Sequence, residues 1–311
     1  MMNKTAGHIT QPGAEIQPLE IRQLTVALAL SPADDTTLDY VSFLAGHVPV
    51  TSAFFLHVAG RLDLYGAMLE REAQAVVSNF DFQTDLARQL DDAVRGRMGA
   101  DTLVQCDVRE GDPLEEVLRE SIDLQPDLLV VGKKSGSSVH GILAHNLVRK
   151  APCSTLVIPQ DAPVQIERIF VPVDFSPYSV RALQTATAIA KRLPQPPELV
   201  VAHLYELPNI FTYRLGQSDE QLTAILAADR EAALKDFVNN YAPEAERVHI
   251  SIERHEDAGL AGQITDAALR CGADLIVMGA KGHSRVERLL MGSVTEKLLL
   301  LNKSIPVWVV K

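Results

Sequence analysis

Cysteine is scarce in this 311-residue chain: Cys106, Cys153 and Cys271 are widely spaced and odd in number. They form no CxxC pair and no zinc-ligand pattern, which argues against a disulfide framework or structural metal and for thiols in a reducing compartment. The histidines are scattered, without HExxH spacing or a paired His/Asp set, so a catalytic metal site lacks recognisable ligands too. Positive charge is in deficit: 29 Lys and Arg stand against 40 Asp and Glu, a net charge of −11. That balance argues against nucleic acid or an anionic membrane surface as main partner, and any phosphate ligand must be held by local positive features. No apolar run reaches the length of a membrane helix. Residues 1–20 are polar, with Pro12, Gly13 and Pro18 and no long apolar core. They read as a flexible N-terminal extension and not as a signal peptide, and cytoplasmic residence is the default expectation.

What the chain has in abundance is internal similarity. QPDLLVVG, ending at Gly132, matches GADLIVMG, ending at Gly279, and VALALSP (Val26 to Pro32) matches VPVDFSP (Val171 to Pro177). The offset is nearly the same for both pairs, so two copies of a unit of roughly 145 residues account for almost the whole chain. The copies fall at 21–160 and 165–311.

Each copy reads as alternating strands and helices. In the first, strands are expected at Leu24–Leu30, Thr51–Val58, Leu103–Val108, Asp127–Val131 and Thr155–Ile158. Ser31-Pro32 predicts a helix N-cap followed by proline, Asp112-Pro113 another, and a long helical stretch falls within Leu69–Met98. The second copy repeats the order, with strands at Arg168–Val173, Leu199–Leu204, Val248–Arg254, the run ending at Gly279, and Pro306–Val310. Ser176-Pro177 caps its first helix, and a variable loop spans Glu206–Gln217. Alternation of this kind implies parallel pairing through right-handed crossovers, hence α/β architecture with two tandem doubly wound parallel five-stranded sheets.

The chemistry concentrates in Asp274 to Lys297, DLIVMGAKGHSRVERLLMGSVTEK. Its apolar start suits a strand covered by helices on both faces. The run stops at Gly279, Gly282 follows, and Lys281, His283 and Arg285 make the next loop basic before Gly292. Ser293, with Glu296 three residues on and Leu298 to Leu301 beyond, is a capping-box signature that predicts a helix from Ser293. The first amides of a helix have no internal partner and carry about half a unit of positive charge, and glycines let a phosphate approach the backbone. For any single glycine a simple turn is the better reading. Three glycines, a helix start and three basic or imidazole side chains together favour a phosphate site. Neither GxxxxGK[ST] nor the GxGxxG spacing is present. Asp174, two residues before Ser176, is either a ligand-facing carboxylate or an acid favoured by the helix dipole, and its spacing leaves both open.

Gly279, Gly282, Gly292 and Ser293 fit Gly-x2-Gly-x9-Gly-[Ser/Thr], and here the sequence resembles the universal stress protein family, weakly over residues 21–160 and well over 165–311. The resemblance implies an adenine nucleotide alpha hydrolase-like fold and ATP, with Mg2+ on its phosphates, in the C-terminal half. Gly279, Gly282, Gly292 and the backbone N–H groups of Ser293, Val294 and Thr295 would cradle the phosphates. The Ser293 hydroxyl, Lys281, His283 and Arg285 would assist, and Asp174, with the backbone around Val173 and His203, would hold the nucleoside. It also implies pairing of the two halves through Leu156–Pro159 and Val307–Lys311, an intramolecular pseudo-dimer, and leaves a homodimer open.

The first copy lacks most of these groups. Ala29 stands at the position of Asp174, Ser135 at that of Gly282 and Ile142 at that of Ser293, and the loop from Gly132 to Gly141 is shorter. Several interactions worth about 1–3 kcal/mol each are missing, so residues 21–160 are expected to be a degenerate domain that does not hold ATP in the family manner. Lys133, Lys134, Ser135, Ser137 and Ser138 read as a solvated basic turn in preference to a second anion site. The functional expectation is an ATP-binding stress-response or signalling protein. The alternatives are a slow ATPase or adenine-nucleotide transferase, for which His283 is the sole nearby imidazole, and a scaffold with nucleotide as a structural plug.

Overall fold

The computed structural model describes residues 12–13, 15–60, 82–134, 138–206, 219–255, 259–282 and 291–311. The chain divides into two compact units, Glu20–Val164 and Gln165–Lys311, the latter joined by the residues up to Leu19.

The first unit runs β1 (Ile21–Leu28), α1 (Asp34–His47), β2 (Val50–Ala59), α2 (Phe82–Val94), β3 (Leu103–Glu110), α3 (Pro113–Asp123), β4 (Leu128–Lys133), α4 (Ser138–Lys150) and β5 (Ser154–Pro159). Its strands pair in parallel in the order β3-β2-β1-β4-β5. The second unit runs β6 (Arg168–Pro172), α5 (Pro177–Ala190), β7 (Glu198–Tyr205), α6 (Asp219–Tyr241), β8 (Val248–Arg254), α7 (Leu260–Arg270), β9 (Leu275–Gly279), α8 (Ser293–Leu301) and β10 (Val307–Val310). Its parallel order is β8-β7-β6-β9-β10. Each sheet therefore reverses its winding direction between its first and fourth strands, β1 and β4 or β6 and β9. The central strands carry the cores. Leu128–Val131 of β4 and Leu275–Met278 of β9 are buried without polar alternation because both faces are covered.

Local chemistry sets the helix starts. Asp112 accepts the Glu115 N–H at 3.0 Å with Pro113 at the first turn of α3, and Ser176 accepts the Ser179 N–H at 3.3 Å with Pro177 in the same place in α5. Removing a cap exposes an unpaired amide, so Asp112→Ala should lower stability by about 1 kcal/mol in urea denaturation followed by circular dichroism. The Ser31 cap expected for α1 is not formed. That helix starts at Asp34, whose buried carboxylate accepts the N–H groups of Ser31 (2.8 Å) and Ala29 (3.1 Å). A carboxylate is a stronger acceptor than a hydroxyl, so Asp34 organises the turn that Ser31 was expected to organise.

Two further expectations meet the structure differently. Residues 15–19 of the extension are held on the second unit. Ile16 is 4% exposed, the Leu19 N–H donates to the Ala188 carbonyl, and Lys191 and Arg192 donate to the carbonyls of Ile16 and Leu19. One buried isoleucine and two cations at the end of α5 outweigh the polar composition. Of the helical stretch expected within Leu69–Met98, the residues up to 81 lie outside the described ones, and among the rest α2 covers Phe82–Val94. Nearly all of the Glu206–Gln217 loop also lies outside them.

Among the described residues no helix is long and apolar enough to cross a membrane. All three cysteines are free and half-buried. Burial, aided by the Asp91 carboxylate, pushes the Cys106 thiol up to about 12. Because the thiolate is the nucleophile, Cys106 should alkylate about a thousandfold more slowly than an unhindered thiol at pH 8, read by peptide mass mapping after a timed iodoacetamide pulse.

Candidate functional site

In open α/β sheets a ligand crevice lies beyond the carboxyl ends of the strands, where the winding direction changes. In the second unit that point falls between β6 and β9. Their ladder holds Ile169 opposite Leu275 and Phe170 opposite Ile276. Beyond these pairs the strand ends border a cavity of about 200 Å³.

One lip follows β6. Asp174 Oδ1 accepts the Ser176 N–H at 3.0 Å and the Ser179 hydroxyl at 2.6 Å, while the Asp174 N–H donates to Ser179 Oγ at 3.0 Å. Phe175 takes a left-handed φ of 63°, as Leu30 does (φ 50°) at the matching point of the first unit. The turn that presents residue 174 is thus a built feature of both copies. Oδ2 lies toward the opposite lip, where a Cβ on Gly282 would come within 2.3 Å of it. One oxygen of Asp174 organises the start of α5, and the residue lines the cavity.

The other lip follows β9. A Cβ on Gly279 would lie 2.6 Å from Tyr178 Cβ and 3.0 Å from its backbone carbonyl, so this glycine lets the first turn of α5 pack against the strand end. Gly292 donates its N–H to the Ala280 carbonyl at 2.8 Å, and the buried Thr295 hydroxyl donates to the Gly279 carbonyl at 2.9 Å. These bonds fix the N-terminus of α8 beside the strand end. The residue that caps α8 is Gly292 (φ −73°, ψ 146°), which offers no side-chain cap. Ser293 is the first helical residue and is exposed, so the expected capping box is not formed. With no side chain at the cap to accept them, the first amides of α8 remain for another acceptor, and Ser293, Val294 and Thr295 all line the cavity.

Nine of the twelve residues singled out in the sequence meet around this cavity: Val173, Asp174, Gly279, Lys281, Gly282, Gly292, Ser293, Val294 and Thr295. His203 does not line it. Its Nδ1 donates to the Val173 carbonyl at 2.7 Å and its ring packs on Phe175, 4.6 Å between centroids. Burial is the main cause holding its pKa below the usual imidazole value, against the upward pull of the Val173 carbonyl. The ring is therefore neutral at pH 7 and supports the turn that carries Asp174. His283 and Arg285 lie outside the described residues. What the sequence did not reveal is the apolar wall: Leu204 from β7, Leu260 and Ile264 from α7, and Met278. The four-residue spacing of Leu260 and Ile264 was the available signal, and it is indistinguishable from ordinary core patterning.

Taken together, a carboxylate on one lip, a helix start without a side-chain cap on the other, and an apolar floor make a crevice suited to a ligand that is anionic at one end and flat or apolar at the other. This defines a class: tandem doubly wound α/β proteins with a crevice at the strand switch. The chain belongs to the universal stress protein family, a family of stress-response proteins, whose model matches residues 20–159 and 165–311. It is 33% identical over 145 residues to a universal stress protein of Methanocaldococcus jannaschii, an alignment covering 47% of this chain and 82% of that protein. Two solved structures share the fold across nearly the full length. A universal stress protein from Archaeoglobus fulgidus DSM 4304 superposes with a TM-score of 0.58 at 19% identity, covering 93% of this chain and 96% of its own. A protein of unknown function from Pseudomonas aeruginosa PAO1 gives 0.61 at 19% identity, covering 94% and 92%. A universal stress protein in complex with cAMP is also similar to part of the chain, at 23% identity over 47% of it, with a TM-score of 0.30.

Proposed function

We propose that the C-terminal half binds ATP and that the protein acts in stress response or signalling as a nucleotide-binding module. The observation that carries this reading is the start of α8: a glycine cap without a side-chain acceptor, its first amides bordering a cavity whose far lip carries Asp174. The phosphates would accept from the amides of Ser293, Val294 and Thr295, with Lys281 adding local positive charge to a chain of net charge −11. The Asp174 carboxylate would accept from ribose hydroxyls, and Leu204, Ile264 and Met278 would receive the base. Among the described residues no group of three or more His, Cys, Asp or Glu could hold a metal ion. A Mg2+ ion would thus arrive with ATP and be held by phosphate oxygens. His283 and Arg285 belong to the proposal as further phosphate contacts.

Titration of ATP with Mg2+ into the full chain by calorimetry should give binding at one site per chain in the micromolar range. Absence of heat at millimolar ATP overturns the proposal. Incubation with labelled ATP separates a binding module from an enzyme: intact bound nucleotide supports the module, while turnover abolished by His283→Ala makes the protein an ATPase.

A further inference from the structure

The first unit has a cavity at the same topological place, beyond the ends of β1 and β4, and it is no smaller: about 230 Å³ against about 200 Å³. Its chemistry is different. Ala29 lines it where Asp174 lines the other cavity. Among the described residues the one carboxylate on its wall is Asp34, whose oxygens accept the N–H groups of Ala29 and Ser31. Two consecutive cations, Lys133 and Lys134, line it at the end of β4, where the second unit has Ala280 and Lys281. Much of the remaining wall is hydrocarbon, from Leu56, Val58, Val117, Val131 and Leu143. His57 also lines it, with Nδ1 donating to the Leu28 carbonyl at 3.0 Å. Relative to its sister, then, this cavity has lost a ligand-facing carboxylate and gained a lysine.

A cleft walled by Leu and Val leaves apolar surface in water that larger side chains would cover. A half that had merely lost its ligand would gain stability by filling the space with larger side chains. Instead Ala27, Ala29 and Ala33 keep it open. We propose that this cavity is a second ligand site, for a small carboxylic acid with an apolar alkyl or aryl body. The body lies among Leu56, Val58, Val117, Val131 and Leu143, and the carboxylate accepts from the ammonium groups of Lys133 and Lys134. Paired lysines suit a point anion, and an apolar body suits walls that offer few polar partners.

Octanoate is the probe, octanol its uncharged match, and calorimetry on the full chain the measurement. Octanoate should bind, with an affinity unchanged by saturating ATP, and octanol should bind at least about tenfold more weakly. Lys133→Glu with Lys134→Glu should cost octanoate a similar factor, and the milder pair Lys133→Gln with Lys134→Gln repeats the test should the charge reversal disturb folding in circular dichroism. No octanoate binding, equal binding of octanol, full affinity in the glutamine pair, or displacement by ATP would each overturn the assignment. Because octanoate is titrated with and without ATP, this site stands or falls independently of nucleotide binding in the second unit.

Discussion

Gly279→Ala is expected to destabilise the second unit by about 2–3 kcal/mol, although it adds a single methyl group to the end of a strand. The added carbon would sit 2.6 Å from Tyr178 Cβ and 3.0 Å from the carbonyl carbon and oxygen of that residue, so backbone as well as side chain must move. The first unit supplies an internal control at Gly132, where the nearest atom to an added Cβ is the Thr37 hydroxyl at 2.7 Å. A hydroxyl moves by rotation about χ1, so Gly132→Ala should cost less. The chain's one tryptophan, Trp308, is buried in β10 of the second unit, so its fluorescence reports on that unit. Urea denaturation followed through Trp308 should show a clearly lower midpoint for Gly279→Ala, and circular dichroism should follow Gly132→Ala. An unchanged Trp308 midpoint would mean that α5 does not approach β9 as described.

The second large effect is on affinity. Asp174→Ala combined with Gly292→Val is expected to weaken ATP binding at least about a hundredfold in calorimetry while leaving the chain folded. The first change removes a charged acceptor, an interaction of about 1.5–3 kcal/mol. It also unties the α5 start, because Oδ1 serves the Ser176 amide and the Ser179 hydroxyl. A Cβ at Gly292 meets its neighbours at 3.4 Å or more, so the backbone accommodates it. A branched side chain at the cap would instead crowd the approach of an anion to the amides behind it. Retained affinity in the double variant would place ATP somewhere other than this crevice.

The repeat, the alternation of strands and helices and the place of the motif were legible in the sequence because they rest on patterns that survive any packing arrangement. Buried parallel strands such as Leu128–Val131 and Leu275–Met278 must be continuously apolar, and Asp112-Pro113 and Ser176-Pro177 start helices by local chemistry alone. The misreadings arose where two local solutions compete. Ser31 and Ser293 both carry cap signatures, yet Asp34 takes over the first turn and Gly292 the second. Gly279 was legible as important but for an incomplete reason, since the approach of Tyr178 is a tertiary fact that strand and helix patterns do not record. The same holds for Ile16, whose burial depends on helix ends far along the chain.

The central claim is that nucleotide occupies the crevice between β6 and β9 and leaves the first unit's cavity alone. Crystals grown with ATP and Mg2+ test it most directly. Phosphate density against the first turn of α8, with Asp174 at the ribose, is the outcome expected. Nucleotide density between β1 and β4, with none beside Gly292, would contradict it.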